Sequence, residues 1–275
     1  MSPDYLELLD PEALGILAET TGVAQRADAG RVFAERPNEI RVALASAEAL
    51  ALLNDPTPDH GRSRRLLQTA IAVHRTAEEI CTAGWTARSE APVDMALLRF
   101  AGQFPFQTFM VDLIAGHLPA DFGIPGFEVE VTRAGTPERL NELLDLCDAV
   151  DEVERGGALR LLGDEALFTV SLFPGRAAAT PVTPEMLVRV EAVLPKAVRS
   201  VLEELTPQIQ SQLDLYLHFG PIWYRMASQN LLHRSMRSTL SDLAREFSVA
   251  RRFLVRVAQG PLAPLRERIF EPVPC

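Results

Sequence analysis

Lysine is nearly missing from this chain: Lys196 is the only one, so arginine carries almost all of the 27 basic charges. That bias toward GC-rich codons points to a bacterial source. Cysteine is scarce as well. Cys81, Cys147 and Cys275 are odd in number, far apart and in no C-x-x-C pair, which argues against a disulfide framework or a zinc knuckle and for buried thiols. No apolar run reaches the roughly 18 residues of a membrane span. The start, Met1-Ser2-Pro3-Asp4-Tyr5-Leu6-Glu7, is acidic and lacks the basic and apolar regions of a secretory signal. These absences predict a cytoplasmic protein without a membrane partner.

Several catalytic signatures are missing too. There is no G-x-x-x-x-G-K-[ST] phosphate loop, no G-x-G-x-x-G opening a helix after a strand, no G-x-S-x-G nucleophile elbow and no H-E-x-x-H. Nucleotide hydrolysis, dinucleotide redox chemistry and zinc proteolysis lose their support, and no cofactor is indicated.

What is present is an ordinary globular composition, 47% apolar and 23% charged over 275 residues. The patterning predicts a mainly α protein, a multi-helix bundle-like domain over 1–275 with a candidate lobe boundary within 119–135. Helices follow from apolar spacings of three and four, with caps at Asp10, Thr136 and Thr183. A Gly156-Gly157 pair predicts a break. Strand texture is confined to 126–132, where Phe127, Val129 and Val131 alternate with Glu128, Glu130 and Thr132, predicting at most a short strand or hairpin arm.

The chain is organised around 206–260. Thr206-Pro207 predicts a helix start, and Gly220-Pro221 a left-handed stop and restart. From Ser238 to Gln259, Leu240, Leu243, Phe247, Ala250, Leu254 and Val257 keep helical spacing, predicting one unbroken helix. Net charge is −10, and it is uneven: from Arg225 to Arg268 nine arginines face three acids, a surplus of +6 that leaves −16 on the rest. Such a surplus marks either an anion-binding face or arginines paired with acidic helices.

Candidate sites are few. His74 and Glu78, four residues apart on a predicted helix, share one face and are the weak metal candidates; a hydrogen-bonded structural pair is the commoner use of this spacing. Tyr216, His218, Trp223, Tyr224 and His233 are the candidate ligand-binding groups, with anchoring in a core as the commoner use of aromatic residues with polar tips. Residues 239–257 are similar to a DNA-binding helix-turn-helix with Arg251, Arg252 and Arg256 on the recognition helix. The match lacks a glycine at Ser248 and a capping residue at Ala250.

Two phrases carry a wider resemblance: Leu162-Gly163-Asp164-Glu165-Ala166-Leu167-Phe168 followed by Leu172-Phe173-Pro174, and Trp223-Tyr224-Arg225-Met226-Ala227 with Ala250-Arg251-Arg252-Phe253-Leu254 and Leu265-Arg266-Glu267-Arg268. Over roughly the C-terminal half the chain resembles a group of mostly helical bacterial proteins with no assigned activity. The resemblance implies a helical fold and transfers no catalytic residue. The sequence therefore points first to a helical protein without turnover of its own, acting through a protein partner, through self-association as a homodimer, or as a regulator. A DNA-binding regulator and a ligand-binding or metal-dependent bundle are the alternatives.

Overall fold

A computed structural model describes residues 5–54, 61–86, 94–117, 136–195, 198–199, 206–231 and 233–263. The fold is mainly α: among the described residues there are fifteen α-helices, and β-type pairing is limited to one bridge between Pro181 and Ser211. The strand expected at 126–132 lies outside the described residues. No described helix is long and apolar enough to cross a membrane.

The chain divides into two compact units, 1–131 with 252–275, and 132–251. In the first, α1 (Tyr5–Leu8), α2 (Pro11–Thr21), α3 (Ala29–Glu35), α4 (Pro37–Ala45) and α5 (Ala47–Ala51) pack on one another, and α2 and α4 pack on α6 (Arg62–Thr86), which also packs on α7 (Met95–Ala101) and α8 (Phe104–Ala115). Asp10 caps α2 through the Ala13 amide, and Gly22, the one residue with positive φ among those described, ends it. Phe100, stacked on Phe106 at 4.3 Å and met by Phe253 at 5.7 Å, lies in the core with Met110, Leu113 and Ile114.

The second unit holds α9 (Pro137–Ala149), α10 (Arg155–Leu172), α11 (Pro174–Ala179), α12 (Pro184–Val193), α13 (Gln212–Asn230) and α14 (Arg234–Arg245). Thr136 and Thr183 cap α9 and α12 through the Arg139 and Met186 amides, as their Thr-Pro-Glu sequences predict. The last helix, α15 (Phe247–Gln259), gives its first five residues to this unit and the rest to the first. The dominant packing here is α10 against α13, and nearly every residue of α10 from Ala158 onward is buried.

Four sequence expectations are corrected. The helix expected from Thr206 makes only a single 3-10 turn, Thr206–Gln208, and the α-helix begins at Gln212, because residues 210–212 are bonded to the 180–182 segment. Ser211 and Asp214 then form a reciprocal capping box. The stop expected at Gly220-Pro221 is absent, and α13 runs through both residues. Gly220 is there for space: a Cβ on it would come within 2.5 Å of the Phe247 ring and 3.1 Å of Ala166. Pro221 removes one intrahelical bond and still permits helical φ. The Gly156-Gly157 pair does not break the chain either; it forms the first turn of α10, where Gly156 lies against the Asn230 backbone.

The fourth correction concerns 238–259, which is not one helix. Glu246, at φ −109° and ψ 25°, ends α14 by donating its amide to the Asp242 carbonyl, while its own carbonyl accepts from Val249 and Ala250 at the start of α15. A one-residue break hardly disturbs the three–four spacing, so the pattern passes through it unseen. It falls before Phe247 rather than at Ser248.

The glycines make a graded set. Gly163 would place a Cβ 2.6 Å from the Tyr224 ring, whereas Gly157 has nothing within 4 Å. Gly163→Ala and Gly220→Ala should each destabilise the protein by about 1–3 kcal/mol through overpacking, and Gly157→Ala should stabilise it by about 0.4–1 kcal/mol. Urea unfolding midpoints of the three variants check this order.

Candidate functional site

Polar chemistry in the second unit concentrates where α10 meets α13. Asp164 and Glu165, neighbours on α10, are both buried, and each carboxylate meets partners from a different direction. The Tyr224 hydroxyl donates to Asp164 Oδ1 at 2.8 Å, and Arg160, one turn earlier on α10, brings Nε to 3.2 Å from Asp164 Oδ2 as an ion pair. Glu165 accepts from the Thr169 hydroxyl at 3.0 Å and lies 3.9 Å from Arg139 Nε on α9. On α13 the Gln212 amide donates to the Tyr216 hydroxyl at 2.9 Å. Two buried acids are thus held by two arginines from the rim, and tyrosines from α13 close over them.

Burial, and then the neighbouring Asp164 carboxylate, pushes the Tyr224 phenol well above the ordinary tyrosine range. Burial followed by Glu165 does the same for Tyr216. Both phenols are therefore neutral hydrogen-bonding groups at physiological pH. The Cys147 thiol, buried on α9, is pushed up to about 11 chiefly by desolvation, which leaves it a packing residue rather than a nucleophile.

The five candidate ligand-binding groups do not converge. Tyr216 and Trp223 meet edge to face at 6.2 Å, both fully buried. Tyr224 points elsewhere, to Asp164 and to Phe247 at 6.1 Å. His218 is half-buried one turn after Asp214, and His233 is an exposed residue at the N-terminus of α14. The groups that sequence reasoning missed are Asp164, Glu165 and their arginines. A signal was available: two adjacent acids inside an otherwise apolar helical run must be paired to be buried.

In the first unit His74 is buried on α6, with Glu78 half-exposed one turn later and 3.7 Å from its Nε2. Among the described residues no group of three or more His, Cys, Asp or Glu side chains gathers as a metal site would require, so the pair stands without further ligands. The three candidate DNA-contacting arginines also divide. Arg251 is half-buried and donates to the Val170 carbonyl at 3.3 Å, Arg252 pairs with Asp94, and Arg256 is exposed.

One surface stands apart. Five residues, 150–154, link α9 to α10 and return the chain as a helical hairpin. Its turn end exposes Leu146, Val153 and Leu161, with Val153 68% exposed. From 142 to 154 the sequence has six carboxylates and no basic residue; Glu142 pairs with Arg139 and Asp145 with Arg189, which leaves the four acids of 148–154 as the charge of the turn. Comparison with protein-family models, curated proteins and solved structures finds no match for this chain.

The polar seam generates a graded prediction. Tyr224→Phe removes one hydrogen bond to a charged acceptor and should cost about 1.5–3 kcal/mol. Asp164→Ala removes the charged acceptor from both the Tyr224 hydroxyl and Arg160 and should cost more than Tyr224→Phe. Denaturant titration followed by the fluorescence of Trp223, with the other tryptophan, Trp85, replaced by phenylalanine, reads both.

Proposed function

We propose that this is a cytosolic helical protein that works through contacts with other proteins and has no turnover of its own, and that it makes those contacts at the turn end of the α9–α10 hairpin. One observation carries the reading: Leu146, Val153 and Leu161 are exposed at a turn whose residues 148–154 carry four acids and no basic residue, while the polar groups most suited to chemistry are bonded to one another inside the unit. Exposed apolar residues within a charged rim are the usual make-up of a protein-binding patch. The acidic rim selects a basic partner and steers its approach. The same reading groups the chain with the helical bacterial proteins that its 162–168 and 223–227 phrases resemble.

The DNA-binding alternative is less well supported. Although α14 and α15 are separate helices, only Glu246 lies between them, and two of the three arginines have partners within the chain: Arg251 the Val170 carbonyl, and Arg252 the Asp94 carboxylate in a surface pair. A recognition helix needs those side chains for phosphates and base edges.

Photocrosslinking in cells tests the proposal. A photoreactive residue in place of Val153 should give discrete protein adducts, weakened as salt rises, whereas the same residue in place of Val42, 66% exposed on α4, should give none. No adduct from position 153, or equal labelling from both positions, would overturn it.

A further inference from the structure

The first unit contains a buried base that its packing serves poorly with hydrogen bonds. His74 is 6% exposed, and among the described residues neither ring nitrogen has a partner at full hydrogen-bond geometry; its polar links, to Gln107, to the Arg41 backbone and to Glu78 at 3.7 Å, are weak. A neutral imidazole carries one N–H donor and one acceptor, so the site satisfies both only weakly. One aromatic side chain covers the ring. Tyr5 of α1 meets it edge to face at 5.9 Å, and the other side of Tyr5 meets Phe104 of α8 in the same manner at 5.2 Å. The Tyr5 hydroxyl reaches Gln107 Oε1 at 3.4 Å, and Gln107 is itself fixed by donating to the Ala101 carbonyl at 2.8 Å.

The charged and titratable groups around His74 are Glu78 on its own helix, Arg41 of α4 and the Tyr5 phenol of α1. Arg41 lies over the Phe104 ring, its guanidinium carbon 4.0 Å from the centroid. Glu78 is 41% exposed in its side chain and 3.7 Å from His74 Nε2, so water screens much of its attraction for an imidazolium. Burial dominates and holds the His74 pKa below the ordinary histidine range. Glu78, and more weakly Gln107 and the Arg41 backbone, act in the opposite direction, while the Arg41 charge adds to the lowering.

The element lying on His74 is small. Helix α1 spans four residues, and Tyr5 is its one buried side chain. We propose that His74 and Tyr5 form a proton-operated latch, in which protonation of the imidazole releases Tyr5, and with it α1, from the surface of α6 and α8. The imidazolium needs hydration that the closed site denies it, and withdrawal of the Tyr5 ring is the least extensive rearrangement that lets water reach it. With α1 closed the base is held neutral, while with α1 open it titrates near its ordinary value of about 6.5. The open state therefore binds the extra proton below that pH. The latch is fully closed above about pH 6.5 and loosens progressively as pH falls toward the lowered pKa of the closed form.

Hydrogen exchange on the intact protein tests this. The Leu9 amide donates to the Tyr5 carbonyl at 2.9 Å and reports on whether α1 is docked. After correction for intrinsic exchange, its protection should fall by up to about tenfold per pH unit as pH drops below about 6.5, with no matching loss at the α8 amides. In His74→Gln and His74→Phe the slope should vanish. In Glu78→Gln, which removes the offsetting carboxylate, it should persist to lower pH. An unchanged slope in the His74 variants, or a flat profile in the unmodified protein, would overturn the latch. Should the His74 variants fail to fold, the imidazole titration of the unmodified protein by NMR decides: a value at or above about 6.5 is incompatible with the proposal.

Discussion

The second unit depends on how closely α10 and α13 approach. Gly163 admits the Tyr224 ring from α13, and Gly220 admits Phe247, so the two helices and the start of α15 meet where their side chains are smallest. That proximity brings the Tyr224 hydroxyl to Asp164, and Arg160 completes the pairing. A buried carboxylate is tolerable only when it is satisfied in this way. The apolar contact and the polar network are therefore one constraint: widening the crossing would lose both.

Burial under that constraint also decides what the polar residues can do. Tyr216, Trp223 and Tyr224 are fully buried, and the two phenols are held neutral and hydrogen-bonded within the unit. Leu146, Val153 and Leu161 serve no such internal purpose, and their exposure at an acidic helical turn is what directs the functional reading toward a basic protein partner. In the first unit the balance differs, because His74 is buried with only weak polar contacts where Asp164 receives short, well-directed ones. The same degree of burial gives a fixed support in one unit and a protonatable weak point in the other.

Features governed by local chemistry were legible in the sequence. Asp10, Thr136 and Thr183 cap helices because a side-chain oxygen three residues before an open amide needs nothing from the rest of the chain. Gly220 was misread because glycine serves both as a left-handed stop and as room for a neighbouring ring, and only the tertiary partner, Phe247, distinguishes them. The break at Glu246 escaped because one non-helical residue hardly alters a three–four repeat. Asp164 and Glu165 were overlooked because acids on helices are commonly solvated, and their partners lie up to sixty residues away. The Leu146–Leu161 surface could not be read as exposed until the packing of α9 on α10 was known.

The central claim is that α10 and α13 form one cooperative element held at the Gly163–Tyr224 and Asp164–Tyr224 contacts. Native-state hydrogen exchange under increasing denaturant tests it most directly, since amides that open only in the global unfolding of a unit share one opening free energy and one denaturant slope. The account predicts that the central amides of α10 and α13, from about Leu162 to Thr169 and from about Phe219 to Met226, converge on the highest values in their unit and stay together in Tyr224→Phe at a lower common value. If one helix instead opens well before the other in the unmodified protein, the crossing is not what holds the unit together.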